Sequence, residues 1–176
     1  MAELDVKKLI VIDESGFPLN LQQSYGRCAK KDRLKMPSPL HAVNVSVIGA
    51  INIEGIVDIS LVNGNVDQLC IESFIRNSLL PNIKRGNIII LDNAPVHNIE
   101  KINKELLYPI GAMALGLPRY SPDFSPIELF WSKLKNIVRK MCPRTLGELY
   151  DAFVNAFVYF DKDDFRGWFE YCGYNT

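Results

Sequence analysis

The sequence predicts an α/β domain: a mixed sheet of five strands covered by helices. Three observations carry that prediction. Two short runs, Leu9-Ile10-Val11-Ile12 and Ile88-Ile89-Ile90-Leu91, are apolar at every position, as strands buried on both faces are. Between them, Val43–Ile53 and Ile56–Val62 are rich in β-branched residues and separated by Glu54-Gly55, which reads as a hairpin. After the second run the apolar period turns helical, and one more short strand interrupts it. A meander feeding into alternating β and α segments gives a mixed sheet with helices on it.

In order, the first strand runs to Asp13, and Glu14-Ser15-Gly16-Phe17-Pro18 is expected to break it. Leu19 to Leu40 has no clear period and reads as a long basic loop. The hairpin follows and ends at Asn63-Gly64-Asn65. Asp67 caps a helix to about Leu79, with Leu69, Phe74, Ile75 and Leu79 toward the core, and Pro81 stops it. The strand Ile88–Leu91 ends in Asp92, and Asn93-Ala94-Pro95-Val96-His97 reads as a turn. A helix over Asn98–Tyr108 precedes a short strand, Ala112–Leu117. The prolines at 118, 122 and 126 exclude an α-helix before Ser125, which suits an N-cap, with Pro126 at the first helical position. Ile127, Phe130, Trp131, Leu134, Val138 and Met141 then recur at helical spacing and define a buried face. Thr145 caps a last helical segment carrying Leu149, Phe153, Phe157 and Val158, with Phe165, Trp168 and Phe169 beyond it.

At 176 residues, 48% hydrophobic and 23% charged, the chain has the makeup of one globular domain. No apolar run approaches the ~20 residues of a membrane span, and the N-terminus lacks a signal peptide's regions. Cys28, Cys70, Cys142 and Cys172 are scattered without a Cys-x-x-Cys, which suits a reducing cytoplasm. Net charge is zero, which by itself counts against a nucleic-acid partner. The distribution is more informative. Arg27, Lys30, Lys31, Arg33 and Lys35 form one basic cluster, and Lys133, Lys135, Arg139, Lys140 and Arg144 a second. Each alone reads as a solvated face; two beside an acidic pocket suit a phosphate backbone.

Glu128 lies three residues after Ser125, so a capping box is its simplest reading. Asp13 and Asp92 weigh against it. Both end runs predicted to be buried strands, and parallel neighbours would open them on one crevice. Three carboxylates brought together repel unless a cation intervenes, and hard oxygen donors suit Mg²⁺ or Mn²⁺. Asp123 is the nearest rival to Glu128 and reads as a loop residue.

Three blocks then resemble the catalytic blocks of DDE transposases of the mariner superfamily, in particular its bacterial insertion-sequence branch. They are Val11-Ile12-Asp13-Glu14-Ser15-Gly16-Phe17, Ile90-Leu91-Asp92-Asn93-Ala94-Pro95-Val96-His97 and Tyr120-Ser121-Pro122-Asp123-Phe124-Ser125-Pro126-Ile127-Glu128-Leu129-Phe130-Trp131. The 35 residues between Asp92 and Glu128 (93 to 127) are close to that family's spacing. The resemblance implies a ribonuclease H-like fold. It implies a catalytic core in which Asp13, Asp92 and Glu128 hold two Mg²⁺ or Mn²⁺ ions and cut and join DNA at transposon ends. Asn93 and His97 would stand behind those ligands. Arg27, Lys30, Lys31, Arg33, Lys35, Arg119, Lys133, Lys135, Arg139 and Lys140 are candidate phosphate contacts. The implied partners are double-stranded DNA of transposon ends and target, with a homodimer and a separately encoded N-terminal half as further candidates, and no membrane. Only six residues precede the first strand, so residues 1–176 read as one catalytic domain without the helix-turn-helix segments usual ahead of it. The expected location is a bacterial cytoplasm, on the nucleoid. Two alternatives stay open: a nuclease of the same fold without strand transfer, and an inactive DNA-binding remnant.

Overall fold

The computed structural model describes residues 5–19, 44–92, 97–118 and 122–175. Five strands, β1 (Leu9–Pro18), β2 (Asn44–Asn52), β3 (Gly55–Asn63), β4 (Ile88–Leu91) and β5 (Met113–Gly116), form one sheet in the order β3-β2-β1-β4-β5. The β1–β2 and β2–β3 pairs are antiparallel, and β1–β4 and β4–β5 are parallel. The sheet is mixed, as the element order predicts.

The first strand is longer than its sequence suggests. Residues 14–18 do not break it: β2 pairs with β1 from Val11 through Pro18 and supplies those residues' backbone partners. Ser15 and Phe17 alternate inward, while Gly16 faces solvent, so the segment keeps a strand's period despite its glycine and terminal proline. Asp13 therefore sits within a strand that is paired on one side to its end.

The two faces of the sheet bury different residues. Val11, Phe17, Val47 and Ile90 face α3 (Pro126–Met141), α4 (Leu146–Ala156) and α5 (Lys162–Tyr171). Ile10, Ile12, Ile48 and Ile89 face α1 (Gln68–Phe74), α2 (Ile99–Ile102) and the π and 3₁₀ turns that prolong them to Asn82 and Ile110. Alternation along β1 divides the chain between two cores, and each fully buried Ile, Leu or Phe contributes about 1.5–3 kcal/mol relative to exposure. The α1 stripe is Ile71, Phe74, Ile75 and Leu79; Leu69 is 69% exposed, because it stands about 200° around the helix from Ile71. Ile127, Phe130, Trp131, Leu134 and Val138 of α3 are buried as predicted, but Met141, in the last turn beyond the sheet-facing contacts, is exposed. Val158 is exposed too, outside α4 in the 3₁₀ turn that follows it. Among the described residues no helix is long and apolar enough to cross a membrane.

Candidate active site

The site begins with a register. β1 and β4 pair in parallel as Leu9↔Ile88, Ile10↔Ile89 and Val11↔Ile90. β4 ends at Leu91, so Asp92 follows just past the paired residues, and Asp13 lies two residues beyond them on β1. Both acids lie toward the same end of this parallel pair, where β4 stops and β1 continues.

Alternation points Asp13 to the face of Val11, which α3 covers. There Trp131 Nε1 donates to Asp13 Oδ2 at 3.0 Å. Glu128, one turn earlier on α3, is exposed. Ser125 makes no side-chain capping hydrogen bond, so the reciprocal pair of a capping box is not formed. A capping box does form at α5, between Asp161 and Asp164. Glu128 is close enough for its charge to act on Asp13. Burial, then the charge of Glu14, then that of Glu128 push the Asp13 carboxyl up to about 7, against bonds from the Glu14 backbone and Trp131 that favour its ionised form.

On the other face lies a second charged group. His97, its side chain 2% exposed, donates from Nε2 to Asp92 Oδ1 at 2.9 Å, and Glu14 Oε2 lies 3.5 Å from the same nitrogen. Burial disfavours the imidazolium, but the Asp92 hydrogen bond and the charges of Glu14 and Asp92 outweigh it and raise His97 to about 9. Glu14 Oε2 and His97 Nδ1 are buried without a hydrogen-bond partner among the described residues.

The donor set suits a hard divalent cation. The donors it offers are carboxylate oxygens, crowded enough to hold a proton on Asp13 near neutral pH, and a bound cation would relieve that crowding. Placement is only partly prepared. Among the described residues, no three His, Cys, Asp or Glu side chains are gathered closely enough to hold a metal ion. Asp13 and Glu128 interact, whereas the Asp92 carboxylate is bonded to His97.

The other candidates divide. Lys133 is ion-paired with Asp164 and lies over the Phe160 ring, tying α3 to α5. Lys135 lies 5.6 Å over the Phe17 ring, Arg139 reaches Asn136, and Lys140 is exposed. Asp123 is exposed in the 3₁₀ turn Pro122–Phe124. Asn93, Arg119 and the whole cluster Arg27, Lys30, Lys31, Arg33 and Lys35 lie outside the described residues. Sequence reasoning missed Glu14, whose role shows only once residues 13–18 are read as a strand, and missed the bond that makes the core residue Trp131 part of the site.

Comparisons with known proteins bear on the family and the fold. A family model described as DDE superfamily endonuclease matches residues 8–149. Solved structures share the fold. A Mos1 transposase paired-end complex with left transposon end superposes with a TM-score of 0.74 at 14% identity, over 94% of this chain and 52% of that one. The catalytic domain of Mos1 mariner transposase does so with a TM-score of 0.69 at 13% identity, over 94% and 76%. A Mos1 mariner paired end complex with Mn gives 0.70 at 13%, over 94% and 52%. The present chain spans about half the length of the first of these. No curated protein matches it. The ribonuclease H-like fold follows from these superpositions, and the family from the match over most of the chain: this protein belongs to the DDE superfamily of endonucleases.

Proposed function

We propose that this chain is a transposase catalytic core, cutting phosphodiester bonds at transposon ends and joining them to target DNA. One observation supports the reading: Asp13 and Asp92 lie toward the same end of the parallel β1–β4 pair, and the charge of Glu128 acts on Asp13. Family membership supports it, as do neighbours in fold described as complexes with a transposon end and with Mn.

Asp13, Asp92 and Glu128 would hold the cations, two Mg²⁺ or Mn²⁺. When bound, such ions polarise phosphoryl oxygens and lower the pKa of coordinated water. The chain's own groups position and balance charge. Trp131 holds one Asp13 oxygen. Asp92 accepts a hydrogen bond from Nε2–H of His97, and that imidazolium balances Asp92 and Glu14. Glu128 projects from the first turn of α3, where the helix dipole favours its charge. Lys135, Arg139 and Lys140 on α3, with Arg119 and the 27–35 cluster, would meet phosphates; Asn93 would support Asp92. The partners in this reading are double-stranded DNA and a second copy, on a bacterial nucleoid.

Asp92→Asn should abolish Mg²⁺-dependent DNA cleavage while the circular dichroism spectrum stays unchanged. Full cleavage by that variant ends the proposal. Pre-cut ends offered with a target plasmid separate the readings: joined product supports a transposase, and hydrolysis alone a nuclease of the same fold.

A further inference from the structure

The geometry points to Gly49 and Trp131 as a positioning pair that fixes one oxygen of Asp13 and so sets how its carboxyl meets a cation. This rests on the reading of Asp13 as a metal ligand and adds what places it. Gly49 is the residue opposite Asp13 in the β1–β2 pairing. A side chain there would stand beside the Asp13 side chain, about 5 Å away. The indole of Trp131 takes that space instead. A Cβ on Gly49 would lie 2.6 Å from Trp131 Cη2 and 3.0 Å from Cζ2, closer than packing allows.

The indole has little freedom. Trp131 is 2% exposed, edge-on to Phe17 with ring centres 6.2 Å apart, and tilted on Phe130 at 4.9 Å. Its Nε1–H therefore points in one direction, and Asp13 Oδ2, at 3.0 Å, is what it meets. With Oδ2 bonded to the indole, the orientation in which the Asp13 carboxyl meets a cation is set. Trp131 also stands three residues after Glu128 on α3, so both are neighbours on one helix face. A single helical turn thus presents one acid and fastens another, setting Asp13 and Glu128 relative to each other before any cation arrives. Gly49 acts through Trp131, and Trp131 through Asp13; neither needs to touch the substrate.

The test uses metal-stripped protein and Mn²⁺ alone. Trp131→Phe keeps the aromatic bulk and removes the N–H. It should weaken calorimetrically measured Mn²⁺ binding by about 10-fold or more, as loss of a group that orients a ligand does. Gly49→Ala should also weaken binding, through the displaced indole, and should add nothing once Trp131 is replaced by Phe. Non-additivity of that kind marks one shared path. The chain has two tryptophans, so in a Trp168→Phe background the emission reports Trp131 alone. That emission should be quenched by Mn²⁺ at the concentrations that saturate the calorimetric signal, and the response should vanish with Asp13→Asn. Folded Trp131→Phe protein that binds Mn²⁺ within 2-fold of wild type overturns the positioning role. Should that variant not fold, Gly49→Ala with unchanged affinity overturns it equally. Wild-type protein without any Asp13-dependent Mn²⁺ binding overturns the reading of Asp13 as a ligand.

Discussion

Replacing Asp13 by asparagine should stabilise the metal-free protein while removing its activity. Burial and the neighbouring carboxylates raise the Asp13 pKa from 3.8 to about 7. At about 1.4 kcal/mol per unit, ionising it in the folded protein costs on the order of 4 kcal/mol, which relaxation and residual solvent reduce to about 2–4 kcal/mol. The sign follows from proton binding. The folded chain holds a proton that the unfolded chain releases, so the penalty is absent below about pH 4, grows up to about pH 7 and is full at pH 8. The substituted amide would carry no charge, and its oxygen can still accept from Trp131 Nε1. In EDTA at pH 8, thermal unfolding of Asp13→Asn should lie roughly 5–15 °C above wild type, at about 2–4 °C per kcal/mol for a chain of this size. At pH 4 the difference should disappear. Saturating Mn²⁺ should narrow it again, because only wild type gains binding energy, about 2.7 kcal/mol at 100 times Kd. An Asp13→Asn protein no more stable than wild type at pH 8 in EDTA would refute the reasoning, since the carboxylate would then not be crowded.

His97 gives the opposite window. Its pKa is raised from 6.5 to about 9, so its ion pairs contribute stability that is whole below pH 6.5 and lost as pH climbs to 9. Urea unfolding of metal-free His97→Gln should show a flatter profile than wild type over that range; parallel profiles would contradict the assignment. Glu128→Gln should change unfolding free energy by no more than about 0.5 kcal/mol, being an exposed residue outside any capping box, yet stop cleavage. A loss above about 1.5 kcal/mol would return Glu128 to a capping role. Lys133→Ala should cost about 1 kcal/mol of stability by freeing Asp164, with the salt dependence of DNA binding unchanged. Lys140→Ala should do the reverse, lowering the slope of log K against log salt by about one; no change in slope would remove Lys140 from the DNA surface.

Much of the fold was legible because its signals are local. The apolar runs at 9–12 and 88–91, the Glu54-Gly55 turn and the Ser125-Pro126 helix start each carry their own period or cap. Where reading failed, a distant partner decided. Residues 14–18 form a strand because β2 pairs with them, a fact about 30 residues away in sequence. Leu69 is exposed because Ile71, not Leu69, falls in register with Phe74, Ile75 and Leu79. The three acids could be named from motif and spacing, but not their present bonds. That Trp131 reaches Asp13 and that Gly49 makes room for it depend on α3 crossing the sheet. Glu14 went unnoticed because its meaning rests on His97, far along the chain.

The proposed activity requires three acids to share cations, so the most direct measurement is an anomalous difference map from crystals grown with Mn²⁺. Peaks within about 2–2.5 Å of carboxylate oxygens of Asp13, Asp92 and Glu128, with Asp92 drawn from His97 toward Asp13, are the predicted result. Ordered Mn²⁺ found only elsewhere, with Asp92 still bonded to His97, would contradict it.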